Sequence, residues 1–258
     1  MPHEQKCVLI TGAGSGIGRA LAVEAAERGM AVALCGRREA ALQVTRALLG
    51  REQHQHLIIP ADITNPGDRG RIVGVIGDRW KGLDVLINNA GVIEGGAIDK
   101  LDDDAINRTF LTNVIAPIAL TRDLMPLLMA ARPSRVVNIG SIFGDIAYPQ
   151  FSGYSASKFA LRGFSSALRR EWKQAGIGVT YAAPRATQTD AAAAFSELIA
   201  AAKMNVDDPA KVARQIWRAV ASGRDSIYAP VPERIYVLLQ RIFPQIIDWA
   251  LSRQAPSH

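Results

Sequence analysis

The chain has 258 residues, 48% of them hydrophobic and 21% charged, which suits one large α/β domain with a sizeable core. Its formal net charge of +6 is modest, and no dense Lys/Arg run or aromatic-basic interleaving marks a nucleic-acid face. Neither the two cysteines nor the four histidines stand at metal-ligand spacing, so no metal site is expected.

The N-terminal MPHEQKC lacks the apolar segment of a signal peptide, and a cytoplasmic protein is expected. Cys7, Val8, Leu9 and Ile10 form an unbroken apolar run, the pattern of a strand buried on both faces. Arg19 to Arg28 carries Ala20, Leu21, Ala22, Ala25 and Ala26, which suits a helix. Ala31–Cys35 is the second predicted strand, 38–49 a helix and Leu57–Pro60 the third strand. His54 and His56 are expected on a surface loop before it, and Cys7 and Cys35 read as small core hydrophobes in a reducing compartment. A helix over 67–80 leads to a fourth strand at 84–88. One long helix is predicted over 105–130, bent near Pro117. Strands at 135–139, 178–183 and 226–229 alternate with helices at 154–175 and 209–222. This alternation predicts a Rossmann-type, doubly wound parallel sheet of about seven strands with helices on both faces. Ligands then lie at the carboxyl ends of the strands. No linker or repeat divides the chain: residues 1–231 are expected to form a dinucleotide-binding catalytic domain, and 232–258 an apolar helical extension of it.

Between the first strand and first helix, glycines stand at 12, 14, 16 and 18. Strand, glycine turn and helix put backbone N–H groups and a helix N-terminus against a phosphate. The pattern is neither G-x-G-x-x-G nor a P-loop. It is T-G-x-x-x-G-x-G, Thr11 to Gly18, with Gly12, Ser15, Gly16, Ile17 and Gly18 as candidate cofactor contacts. About twenty residues further on, an acidic residue would bond a ribose 2′-hydroxyl. Here Gly36 holds that place and Arg37 follows, so a guanidinium is available for a 2′-phosphate and NADP(H) is the expected cofactor. Arg38 is either a second phosphate ligand or a solvated helix opener. Asp62 and Ile63 end the third strand, where the adenine would lie.

Ser141 follows the fifth strand, and Tyr154 and Lys158, four residues apart, share one face of the next helix. A phenol with a pKa of roughly 10 is a poor base at neutral pH. A nearby ammonium is expected to stabilise the phenolate and lower that pKa. Tyr154 then passes a proton to or from a carbonyl or alcohol oxygen, and Ser141 donates a hydrogen bond to the same oxygen.

With these residues in hand, the chain resembles the short-chain dehydrogenase/reductase family over roughly residues 6–230. Thr11–Gly18 is similar to its cofactor loop, and Asn88-Asn89-Ala90-Gly91 to the segment that steadies the sheet and touches the cofactor. Ser141, Tyr154 and Lys158 match its Ser, Tyr and Lys, with the usual thirteen-residue Ser–Tyr step. The resemblance implies that Lys158 also bonds the nicotinamide ribose and that Asn113 helps hold a water in a proton relay. Arg37 matches the Arg of NADP-preferring members. After the sixth strand the family usually has Pro-Gly and then a Thr. This chain has Pro184-Arg185-Ala186-Thr187-Gln188-Thr189, with Thr189 at the carboxamide-binding position and Thr187 beside it. Arg185 replaces the Gly and either brings a cation near the nicotinamide pocket or turns to solvent.

The implied activity is an NADP(H)-dependent interconversion of a carbonyl and a secondary alcohol. A 3-oxoacyl-thioester reductase is the competing enzyme, and a non-catalytic NADP(H) sensor the competing class. Residues 190–204 are alanine-rich and lie where the family keeps its mobile substrate lid. Phe143, Ile146, Tyr148, Phe151 and Phe195 can add apolar walls, which points to a neutral, hydrophobic small-molecule carbonyl or alcohol. In relatives the helices at 105–130 and 154–175 pair across a two-fold axis, so a homodimer or homotetramer is expected; Leu161, Phe164 and Leu168 stand at helical spacing, which either such a pairing face or inward core packing explains. The tail over 232–251 is strongly apolar and broken by Pro244. It is expected to pack on protein and narrow the entrance to the active site, with contact to a membrane interface as the alternative.

Overall fold

The computed structural model describes residues 5–50, 55–189, 205–228 and 231–252. The predicted lid, Phe195, His54 and Ala229 lie outside the described residues. Seven parallel strands form one sheet in the order β3-β2-β1-β4-β5-β6-β7. They are β1 (Cys7–Thr11), β2 (Ala31–Gly36), β3 (Leu57–Pro60), β4 (Val85–Asn88), β5 (Ser134–Ile139), β6 (Ile177–Ala183) and β7 (Ser226–Tyr228). Leu9 pairs with Ala33 on one side and Leu86 on the other, so the first strand is central. Alternate side chains of β1 serve the two faces. Leu9 packs with Ile72 and Ile76 of α3 (Pro66–Trp80), Leu120 of α5 (Ala116–Asp123) and Leu168 of α7 (Ser152–Glu171). Val8 and Ile10 pack with Leu21 of α1 (Gly16–Glu27), Leu42 of α2 (Glu39–Ala47) and Trp217 of α8 (Pro209–Ala221). Each such side chain, fully buried, contributes about 1.5–3 kcal/mol.

The predicted helix over 105–130 is three helices. They are α4 (Asp103–Phe110), α5 and α6 (Met125–Ala130), with a π-helical turn at Leu111–Ile115. Pro117 has no N–H for the carbonyl four residues back, and the Ala116 N–H reaches the Leu111 carbonyl, five back. Pro126 opens α6 and explains the second break.

His56 is buried, not on a surface loop: its Nδ1 accepts the Val32 N–H at 3.1 Å and extends the β2–β3 contact. Both cysteines are buried free thiols, as expected for core residues. A polar chain threads the core from α5 to α7. Asn88 Nδ2 donates to Thr121 Oγ1 at 2.9 Å and to Asn138 Oδ1 at 2.8 Å, and Asn138 Nδ2 donates to Ser165 Oγ at 2.9 Å.

Leu161 and Leu168 face the core, so of the two readings of their apolar spacing it is inward packing that holds. The outward large apolar residues over 105–130 and 154–175 are Leu111, Ile115, Met125 and Phe159. The tail forms α9 (Val231–Ile242) and α10 (Pro244–Ser252), broken before Pro244. Val237 and Ile247 are buried, but Ile235, Tyr236, Leu238, Ile242, Phe243, Ile246 and Trp249 are exposed. No described residue of the tail lines the cleft at the strand ends, so the expected narrowing of its entrance is not found there. Among the described residues, no helix is long and apolar enough to cross a membrane.

Candidate active site

Strand order reverses between β1 and β4, and a cleft of about 620 Å³ opens at their carboxyl ends. Of the nineteen candidate catalytic and cofactor-binding residues named above, eighteen line it, from Gly12 in the glycine loop to Thr189. Asn113 does not. It is buried one layer behind, where Oδ1 accepts the Val92 N–H at 2.8 Å and Nδ2 donates to the Val92 carbonyl at 2.9 Å. Its side chain holds the segment that follows Gly91.

At one end of the cleft, Gly12 has a φ of 66°. A Cβ on Gly18 would collide with the Gly12 carbonyl oxygen and the Asn89 side chain. The loop therefore packs at backbone distance on the neighbouring strand. Ser15 is the N-cap of α1, yet its side chain makes no capping bond, so the helix N-terminus opens toward the cleft. Sequence reasoning missed the groups behind the loop. Thr45 Oγ1 donates to the Ala13 carbonyl at 2.9 Å, and Arg19 bonds both Thr45 Oγ1 and the Gly14 carbonyl. Thr11 Oγ1 accepts the N–H groups of Asn89 and Ala90, each at 3.0 Å. Arg37 and Arg38 are exposed at the rim, and neither side chain has a protein partner among the described residues.

At the other end Ser141, Tyr154 and Lys158 converge. Tyr154 is 8% exposed and Lys158 5%. Lys158 Nζ donates to the Ile139 carbonyl at 3.1 Å and lies 5.6 Å from the centre of the Tyr154 ring. Burial pushes the Tyr154 phenol up to about 12, against a hydrogen bond with Ser141 that works the other way. The expected lowering by the lysine is therefore not seen, because desolvation dominates. The same burial pulls Lys158 down to about 8. Phe143 stacks on Tyr148 at 5.3 Å and meets the Tyr154 ring edge-on at 6.3 Å. Phe143 and Phe151 form wall, Tyr148 backs it, and Ile93 and Ile142 add apolar surface that sequence reasoning did not name.

Arg185 has an ordinary backbone and does not turn to solvent. It makes a paired contact with Asp207, Nε to Oδ2 at 2.8 Å and Nη2 to Oδ1 at 2.9 Å. That pairing, with the Thr187–Asp207 bridge, ties the strand-six loop to the start of α8. Among the described residues, no cluster of His, Cys, Asp or Glu can hold a metal ion.

Residues 6–199 match the family described as short chain dehydrogenase. The chain is 32% identical over 97% of its length, and 83% of the relative's, to a "Dehydrogenase/reductase SDR family protein 7-like" of Anopheles gambiae. It spans 56% of the length of the mouse, cattle and rat SDR family member 7B proteins. It is also 32% identical to the Escherichia coli 3-oxoacyl-[acyl-carrier-protein] reductase FabG, over 76% of this chain and 80% of that one. Among solved structures, an actinorhodin polyketide ketoreductase with NADPH superposes with a TM-score of 0.81 at 27% identity, covering 89% of this chain and 97% of that one. The chain belongs to the short-chain dehydrogenase/reductase family, whose fold and oxidoreductase class it shares.

Gly18→Ala places a methyl group against the Gly12 carbonyl and forces the loop away from the cleft. Affinity for the nicotinamide dinucleotide, measured by calorimetric titration with NADH and NADPH, is expected to fall by at least about tenfold, or ~1.4 kcal/mol.

Proposed function

We propose that the protein is an NADP(H)-dependent oxidoreductase that interconverts a carbonyl and a secondary alcohol on a neutral, hydrophobic substrate. The observation that carries this reading is the convergence of Ser141, Tyr154 and Lys158 at one end of a cleft whose other end is the glycine cradle with unpaired Arg37. The cradle fits a dinucleotide: the N-terminus of α1 lacks a side-chain cap, and Gly18 leaves room for close backbone approach. Gly12, Ser15, Gly16, Ile17 and Gly18 would hold the pyrophosphate, Arg37 and Arg38 the 2′-phosphate, and Asp62 and Ile63 the adenine. Asn89, Ala90, Gly91, Pro184, Thr187 and Thr189 would hold the nicotinamide half. When bound, the nicotinamide supplies or accepts a hydride.

Tyr154 keeps its proton at neutral pH, so in the reducing direction it is a general acid aimed at the substrate oxygen. The Ser141 hydroxyl donates to the same oxygen as charge develops there. Lys158, still mostly an ammonium at pH 7, offsets the charge left on the phenolate. The described walls near Tyr154 are apolar, and Asp207 neutralises Arg185, which supports a neutral substrate. A sensor that only holds the nucleotide has no use for this intact trio. The thioester reading draws support from the similarity to the 3-oxoacyl reductase and the polyketide ketoreductase. Following NADPH oxidation across ketones, diketones and 3-oxoacyl thioesters separates the two. The buried, protonated thiols suit the reducing cytoplasm. The outward Leu111, Ile115 and Phe159 support a homodimer or homotetramer through α4, α5 and α7.

Tyr154→Phe is expected to fold and bind NADPH but to lose at least about tenfold in kcat, whereas Lys158→Ala loses both turnover and cofactor affinity. Retention of more than about a tenth of kcat in the Phe variant overturns the assignment. In the reducing direction kcat should hold below pH 8 and fall as the pH rises through about 8, where Lys158 loses its charge. Arg37→Asp should reverse or abolish a preference for NADPH over NADH in kcat/KM, and equal use of both by the unaltered enzyme rules the Arg37 role out. Ile115→Glu should convert the oligomer to monomer in light scattering at micromolar concentration.

A further inference from the structure

Ser141 begins a tight turn, the 3-10 segment Ile142–Gly144, and Asp145 ends it. The turn is stiff. The Gly144 N–H donates to the Ser141 carbonyl at 2.9 Å and the Asp145 N–H to the Ile142 carbonyl at 3.0 Å. The Tyr181 phenol donates to the Ser141 carbonyl at 3.2 Å. A Cβ on Gly144 would collide with that same phenol and crowd the Lys158 carbonyl, so the turn is wedged between β6 and α7. A displacement at Asp145 therefore reaches Ser141 without slack.

The Asp145 carboxylate is fully buried and takes no part in lining the cleft. Its Oδ1 accepts from three elements at once. Arg162 Nη1 of α7 lies at 2.9 Å, Arg241 Nη2 of α9 at 3.0 Å and Tyr228 Oη of β7 at 3.3 Å. Arg241 also donates to the Tyr228 hydroxyl at 3.0 Å, while Oδ2 has no hydrogen-bond partner among the described residues. A buried carboxylate holds its place only where its cations hold it. One of those cations comes from the tail, outside residues 6–199 that carry the family match.

We propose that Arg241 and Asp145 are positioning residues: the C-terminal helix α9 fixes the Ser141 turn from behind through this ion pair, so the tail governs turnover without touching substrate. The proposal rests on the reading of Ser141 as the donor to the reacting oxygen. Misplacing such a group by an ångström costs far more in rate than in cofactor binding.

The test uses the full chain with Arg241→Ala, Arg241→Lys and, as a control on the same helix, the exposed Arg234→Ala. Because Arg241 is half-exposed and Arg162 remains on Asp145, the Ala variant is expected to fold. Its kcat should fall by about tenfold or more at unchanged NADPH affinity, with Lys restoring most of the loss and the control unchanged. Amide exchange across 141–146 should rise in the Ala variant alone. Unchanged kcat with unchanged exchange protection overturns the proposal, as does an equal loss in the control. If the unaltered chain reduces no carbonyl compound, the proposed function fails, and the exchange measurement by itself decides whether α9 holds the turn.

Discussion

Both halves of the cleft hang from one stitch across the crevice between β1 and β4. Thr11 Oγ1 accepts two backbone N–H groups from the start of the segment after β4, and Asn89 Nδ2 returns a bond to the Thr11 carbonyl at 2.9 Å. Strands that part at their carboxyl ends leave polar backbone without a sheet partner, and each unpaired buried group is costly. Here the threonine and asparagine supply those partners. The crevice stays open for a ligand while the glycine loop and the Asn89–Gly91 segment keep a fixed separation. Asn113 extends the same logic one residue further, by bonding both polar backbone groups of Val92.

Burial acts on the proton-bearing groups at the far end with one cause and two signs. Desolvation disfavours whichever form is charged, so it raises a phenol and lowers an ammonium. Tyr154 thereby keeps its proton at neutral pH, and Lys158 stays a cation near its own threshold. Both sit on the first turns of α7. That helix is itself anchored to the sheet through Ser165 and the asparagine chain beneath it.

The parts of this arrangement that were legible in the sequence are local. The glycine spacing, Gly36-Arg37 at the end of β2, and Ser141 with Tyr154 and Lys158 are patterns within a turn or a helix face, and all of these line one cleft. What escaped is what depends on distant contacts. The Asp145–Arg241 pair joins residues 96 apart, and no spacing rule announces it. His56 carries no local sign that its ring nitrogen will meet the Val32 N–H. The outward face of α7 was left open because Leu161 and Leu168 fit an apolar stripe equally well on either side of the helix, and only packing shows that they point inward and that Phe159 is exposed. The Tyr154 acidity was misread for a related reason: the lysine was visible in the sequence, and the depth of burial was not.

Cys35 is the penultimate residue of β2, at the floor of the cleft, and Cys7 opens β1 beside Asp84. Burial holds both thiols up at about 12. Alkylating reagents and peroxide act on the thiolate, which neither residue offers at neutral pH. The nucleotide cradle is thus built with sulfur that an oxidant passes by. A single cysteine introduced on the surface would be the one reactive thiol in the molecule, open to site-directed labelling without first removing the native pair.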